Sequence, residues 1–347
     1  MNATIMYAGQ ANPFVGWLAV DEFAELLAYY LDATLVSPKP IDQGRFANFV
    51  MGRSRFEPIE SPGGDVLVVV ARSPNDLNMA KSISGYRKKF AKIYGIITDS
   101  YHEEGYVDVT SEFDAVFVTA HGDMDYVKNK YKINVHQMYQ GIDTLRWGPL
   151  ASSIRSVDIV GFGRMPTAYQ EKLIQAYHQP SNPYLYLHSP LGNVRGPTVG
   201  LERGMLFKLL QRSKISLAFN LHVGATGDRP ISMMVTSRWL ESMLSGCIVA
   251  GKRPVSRMAD DMLSWENSTI ELSDNANEAI EELDNILENE ELYALQRMSN
   301  TYHVMTKHDW RFRLNDLGNS FQLSFNQHLL RDIEIVEYNS RAFVAHY

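Results

Sequence analysis

The residues best suited by type and spacing to do chemistry lie in TSRWLESMLSGCIVAGKRP, Thr236 to Pro254. The segment reads as a polar loop, a short helix with one inward carboxylate, a glycine turn and a buried strand. Glu241 carries the chemistry: a carboxylate offers only acceptors, so it can take both hydroxyl protons of a ribose at once. Gly246 is expected to stop the helix without a Cβ penalty. Cys247 to Ala250 is an apolar run short enough for a buried strand, ended by Gly251 and Pro254. The same pattern also fits an ordinary helix–strand join with Glu241 in solvent.

Other groups stand where strands are expected to end. GFGR, Gly161 to Arg164, follows an apolar run and offers a flexible backbone with a guanidinium beside it, where open α/β sheets bind ligands. Arg164 can grip a diphosphate with a forked contact or simply sit on a turn. Pro166 occupies the third glycine position of the dinucleotide fingerprint, GQANPFVG near Gly9 lacks its spacing, and no phosphate loop ending in Gly-Lys-Ser/Thr is present, so hydride transfer and ATP hydrolysis drop out. Asp99, His102 and His121 follow first-half strands and could each serve as a general base. His222 is a further candidate of the same kind, and it precedes a loop, Gly224 to Gly227, that could close on substrate. Asp123 and Asp125 have the spacing to hold a divalent metal on a sugar diphosphate, but they also fall where a helix begins and fit a capping role, so no metal is expected.

These groups need a scaffold of some size. A chain of 347 residues with 45% hydrophobic content implies two domains with a ligand cleft between them. A net charge of −7 argues against nucleic-acid binding through bulk positive potential. One cysteine, Cys247, excludes an internal disulfide and a cysteine-based zinc site; its apolar run implies buried packing in a reducing compartment. No apolar run reaches the roughly 18–20 residues that span a bilayer, and MNATIMYAG lacks a signal-like n-region, so a cytoplasmic protein is expected. SGYRKKFAK, Ser84 to Lys92, reads either as a solvated helix end or as a peripheral contact with an anionic lipid surface at the inner face of the membrane.

The hydrophobic pattern gives two successive α/β series. Strands are expected at Ala3–Ala8, Asp65–Val70, Lys92–Thr98, Asp114–Thr119 and Asn134–Tyr139, with a helix over Pro13–Leu31. The second series places strands at Val157–Val160, Tyr184–His188, Lys214–Phe219, Ile248–Ala250 and Ser268–Leu272. Its helices are Thr167–Tyr177, Leu201–Leu210, Trp239–Leu244 and an acidic one over Asn275–Asn289 capped by Ser273 or Asp274. A last helix is expected over Leu323–Ile335. Such alternation implies parallel βαβ units, with domains at 1–148 and 149–320 and a C-terminal segment at 321–347.

With GFGR opening the second half and TSRWLESMLSGC near its end, the chain resembles bacterial family-one-like glycosyltransferases of the GT-B architecture, two Rossmann-like domains facing a central cleft. Thr236, Arg238, Glu241, Ser245 and Gly246 occupy the places of that group's Thr/Ser-x-Arg-x-x-Glu segment and small-residue turn, and IITDSYH, Ile96 to His102, resembles its acceptor-side loop. The resemblance implies that Glu241 holds the ribose, that Arg164 contacts the diphosphate, and that Thr236 and Arg238 line a donor pocket; Gly161, Gly163, Ser237 and His222 are further candidate substrate contacts. It further implies that segment 321–347 returns to the first domain, where domain closure would exclude water. Met233 stands where many retaining members carry a second Glu, which leaves the stereochemical outcome open. The expected activity is a metal-independent sugar transfer from a nucleoside diphosphate sugar to a hydroxyl of a glycan or glycolipid, as in polysaccharide biosynthesis. An epimerase or phosphorylase of the same fold and a noncatalytic nucleotide-sugar-binding subunit are the alternatives.

Overall fold

The computed structural model of the chain describes residues 1–41, 55–100, 105–149, 154–163, 165–188, 198–219 and 233–345. Two compact units divide it. The first comprises Met1–Gln140, Arg195–Gly200 and Arg313–Arg331; the second comprises Gly141–Val194, Leu201–Phe312 and Asp332–Tyr347.

The first unit holds six parallel strands: Ala3–Tyr7 (β1), Thr34–Val36 (β2), Gly64–Ala71 (β3), Phe90–Ile97 (β4), Ala115–Val118 (β5) and Asn134–Gln137 (β6). Their order is β2-β1-β3-β4-β5-β6. The chain steps from β1 to β2 on one side and then to β3 on the other, so the topological switch point lies between β1 and β3. The apolar runs that build β3 and β4 are buried on both faces, as a parallel sheet covered by helices requires.

The second unit repeats the design with Val157–Gly161 (β7), Tyr186–His188 (β8), Ser213–Phe219 (β9), Ile248–Lys252 (β10) and Ile270–Glu271 (β11), in the order β11-β10-β9-β7-β8. All pairs are parallel, and the switch point falls between β7 and β9. The α/β class with two Rossmann-like units is therefore present. The details depart from expectation where chain ends or edges decide them. β2 was not anticipated: it is a three-residue edge strand, half exposed, with no buried face to leave a pattern. The first helix starts at Leu18 rather than Pro13, after an extended Phe14 and a 3-10 turn at Val15–Trp17. The acidic helix Ala276–Glu288 is capped by Asn275, whose side chain accepts from the Asn277 amide at 3.0 Å, while the Ser273 hydroxyl accepts from Asn275. The last helix is Gln327–Ala345, and two helices the pattern left unread, Ala294–Lys307 and Trp310–Phe321, precede it.

Residues 313–331 belong to the first unit, and from Asp332 the chain belongs to the second. Phe321 stacks on Tyr94 at 3.8 Å between ring centroids and meets Phe117 and His136 edge-on at 4.6 and 5.8 Å. Asn326 ties the same segment to the carbonyl of Tyr29 at 2.9 Å.

Inside the second unit, Ile142 pairs with the strand-like segment at Asp309: its amide donates to the His308 carbonyl at 2.9 Å and its carbonyl accepts from Trp310 at 3.0 Å. A buried charge cluster fixes this clip. Asp309 Oδ2 accepts from the Thr144 amide and hydroxyl at 2.9 and 2.6 Å, and Arg311 Nη1 donates to Asp143 at 2.8 Å and to Asp309 at 3.1 Å.

In SGYRKKFAK the rings of Tyr86 and Phe90 are buried, and Tyr86 donates to Glu112 at 2.6 Å. Arg87 pairs with Asp114 at 2.8 Å. The aromatic side chains that a lipid contact would use are thus committed to the core, and the outward cations fit a solvated helix end. Among the described residues no helix is long and apolar enough to cross a membrane.

Candidate functional site

The segment singled out in the sequence folds as its residues dictate. Ser237–Leu244 is a helix with Thr236 at its N-cap, and the Thr236 side chain makes no capping bond. Residues 239–244 are all buried, because this helix is enclosed by β9, β10 and neighbouring helices. Gly246 takes the left-handed conformation at φ 71°. The amides of Gly246 and Cys247 close on the carbonyls of Met243 and Ser242, a Schellman end that only a residue free of Cβ strain forms cheaply. Arg155 donates to the Ser245 carbonyl at 2.9 Å, fixing the far end of the helix. Cys247 is fully buried with its thiol pushed up to about 11 by desolvation, a packing residue as expected.

Glu241 points inward, as one of the two sequence readings required, and is 3% exposed. Its Oε1 accepts from Nη1 of Arg203, itself 6% exposed, in a buried ion pair. Arg203 was not anticipated. It lies on the helix Glu202–Leu210 among Leu206, Phe207 and Leu210, and a cation on that apolar face is the signal that would have found it.

The glycine turn lies beside Arg238, near the start of the helix Ser237–Leu244. Gly161 ends β7 at the switch point, and Gly163 adopts φ 73°. The Arg238 guanidinium lies against Gly163, where a Cβ would collide with it, and 5.5 Å from the centroid of the Phe162 ring, a cation–π contact. Two segments that sequence reasoning selected independently, 75 positions apart at Gly163 and Arg238, therefore meet: the glycine turn with Arg238, and one helical turn further in, Glu241 with Arg203. The expected consequence is specific. Gly163→Ala adds left-handed strain of about 1–2 kcal/mol and displaces Arg238. The urea midpoint of the second unit's transition should fall accordingly, whereas Gly122→Ala, at a helical position with open space around it, should not lower the midpoint of the first unit's.

Arg164, His102 and His222 lie outside the described residues. Asp99 and His121 stand at the carboxyl edge of the first unit's sheet, after β4 and at the start of the helix His121–Tyr131. Between their loops Ser100 acts as a clamp: its hydroxyl accepts from the Ala120 amide at 3.2 Å and donates to Asp123 at 2.6 Å. Asp123 is therefore occupied with a loop contact in the first turn of that helix, in line with a structural role. Among the described residues no group of three or more metal-ligating side chains forms.

The first unit's own switch point carries a second charged group that sequence reasoning missed. Arg72, just beyond β3, donates from Nη2 to both oxygens of Asp21 at 3.0 and 2.8 Å and from Nη1 to the Asn12 carbonyl at 2.8 Å. Burial pushes the Asp21 carboxyl up to about 6 against the pull of Arg72. Gly9 admits this carboxylate, since a Cβ there would come within 2.5 Å of it.

With this geometry in view, comparisons with known proteins give the following. Residues 142–319 match the model of a family described as glycosyl transferase-like. A comparison with curated proteins finds no match. Solved structures of similar fold include TarM of S. aureus, crystallised as a variant with fondaparinux, alpha-GlcNAc-glycerol and UDP. It is 13% identical, with 73% of this chain and 54% of that one covered and a TM-score of 0.47. The pneumococcal O-GlcNAc transferase GtfA with UDP and GlcNAc shows 9% identity, coverage of 74% and 56%, and a TM-score of 0.44. A putative UDP-N-acetylglucosamine 2-epimerase from Listeria monocytogenes shows 10% identity, coverage of 93% and 97%, and a TM-score of 0.49. The chain spans about half the length of TarM and GtfA.

Proposed function

The chain belongs to the glycosyl transferase-like family, and from that premise we propose that it moves a sugar from a nucleoside diphosphate donor to a hydroxyl of a glycan or glycolipid acceptor without a metal. The observation that carries this reading is the meeting of Arg238 with the Gly161–Gly163 turn at the second unit's switch point, one helical turn from the inward carboxylate of Glu241. Open α/β sheets bind ligands at that place, and the groups present match the parts of a nucleoside diphosphate.

In this reading Glu241 accepts the ribose hydroxyls, the backbone at Gly161 and Gly163 admits the diphosphate, and Arg164 and Arg238 supply its countercharge. The acceptor oxygen bonds to the anomeric carbon as the bond to the diphosphate oxygen breaks. Negative charge grows on the leaving diphosphate, and guanidinium groups fixed beside it stabilise that charge more in the transition state than in the ground state. If the reaction inverts, Asp99, His102 or His121 takes the acceptor proton. Two cations on the leaving group do the work a divalent metal would otherwise do.

The test is a thermal-shift screen of UDP, GDP, dTDP, CMP and ADP with and without EDTA. A ligand that binds only the folded state at a hundred times its Kd stabilises by about 2.7 kcal/mol. One nucleoside diphosphate is expected to raise the melting temperature equally in EDTA. A shift that requires metal would overturn metal independence, and no shift with any nucleotide would overturn the donor site.

A further inference from the structure

Given the donor reading above, on which this step rests, we propose that Arg203 is a positioning residue for ribose recognition, holding the Glu241 carboxylate in the plane that accepts the sugar hydroxyls. The pair is a poor stabilising device. Each ion loses its hydration on burial, and apolar residues of similar volume would be equally or more stable in its place. With Arg203 at 6% and Glu241 at 3% exposure, that cost falls on both partners.

The surroundings fix the cation before any ligand arrives. Phe207, one turn along the same helix, has its ring centroid 5.1 Å from the Arg203 guanidinium carbon, and Trp147 has its centroid 5.8 Å away. Trp147 and Phe207 are themselves stacked at 4.5 Å with a 4° interplanar angle, and Arg146 lies 4.8 Å from the Trp147 ring. A carboxylate on a glutamate side chain turns easily about its last bond. A rigid guanidinium on Oε1 stops that rotation and leaves the remaining lone pairs aimed in a set direction. A lysine in the same place is a compact point charge without the planar fork, so it holds the carboxylate less well.

A site built to hydrogen-bond a hydroxyl rejects the analogue that lacks it, because its buried polar group is left unpaired. Preference for ribose over 2′-deoxyribose is therefore the readout, and a merely structural role for Arg203 would not move it. The experiment measures Kd by calorimetry for UDP, GDP and ADP, each against its 2′-deoxy counterpart, in the wild type, Arg203→Lys and Arg203→Met. For the nucleotide that binds, the wild type is expected to prefer the ribonucleotide on the order of tenfold or more. In Arg203→Met that ratio should collapse toward one, with Arg203→Lys in between. If Arg203→Met does not fold, Arg203→Lys carries the test. Variants that lose affinity for both forms equally and keep the ratio would overturn the positioning role while leaving the donor site standing. A wild type that binds nucleotides with a ratio near one would overturn the ribose role of Glu241 and the proposal with it. A wild type that binds dTDP alone would likewise overturn the ribose role of Glu241, and one that binds none of these nucleotides, dTDP and CMP included, would overturn the donor reading itself.

Discussion

Glu241→Ala is expected to lower kcat/KM by on the order of 10²–10³-fold and to weaken the nucleoside diphosphate by a similar factor. Two hydrogen bonds to a charged acceptor are lost, each worth about 1.5–3 kcal/mol. The substitution also strands Arg203, and removing one partner of a buried pair costs about 3–5 kcal/mol of stability. Activity is therefore to be read per folded molecule, with circular dichroism at low temperature as the control. Glu241→Gln separates the two effects, since it keeps the volume and one acceptor oxygen; its affinity should fall between wild type and Ala. Equal kcat/KM and Kd in wild type and Glu241→Ala would remove Glu241 from the donor site.

A loss of stability as large is expected at Asp309. It is fully buried and accepts from the Thr144 amide and hydroxyl, the Arg311 amide and the Arg311 guanidinium. Asp309→Ala leaves these donors short of an acceptor and Arg311 with Asp143 alone, so the second unit should lose about 3–5 kcal/mol. Because two units need not unfold together, the measurement is the urea midpoint of each transition rather than a single stability. Asp309→Asn retains one acceptor oxygen and should cost clearly less. A midpoint for Asp309→Ala within about 0.5 kcal/mol of wild type would show that the cluster contributes little.

Much of the scaffold was readable from hydrophobic period alone, and the reason is burial. β3, β4, β9 and β10 are largely buried on both faces, so apolar residues dominate them, most clearly in the unbroken Val66–Ala71 of β3. β2 is a three-residue edge strand, too short and too exposed to imprint a pattern, whereas β11, only two residues long, falls within the run expected at Ser268–Leu272. The candidate site shows a sharper asymmetry. Glu241 and Arg203 carry the same signal, a lone charge on the apolar face of a short helix, yet only the first was singled out. A carboxylate near a helix start suggests a ligand, whereas an arginine among Leu206, Phe207 and Leu210 reads as core. Their pairing across 38 positions is a tertiary fact that spacing does not contain. The same holds for Arg72 and Asp21, 51 positions apart.

The ring cluster around Phe321 has a consequence for how the chain is made. By residue 140 the six strands of the first unit have all been synthesised, but Tyr94, Phe117 and His136 still lack the ring that packs against them. That ring arrives only after the whole second sheet has been translated. Most of the second unit's sequence lies between Gln140 and Arg313, so the nascent protein carries an open aromatic face through much of its synthesis. A gene cut after Gln140 would express that unfinished state permanently.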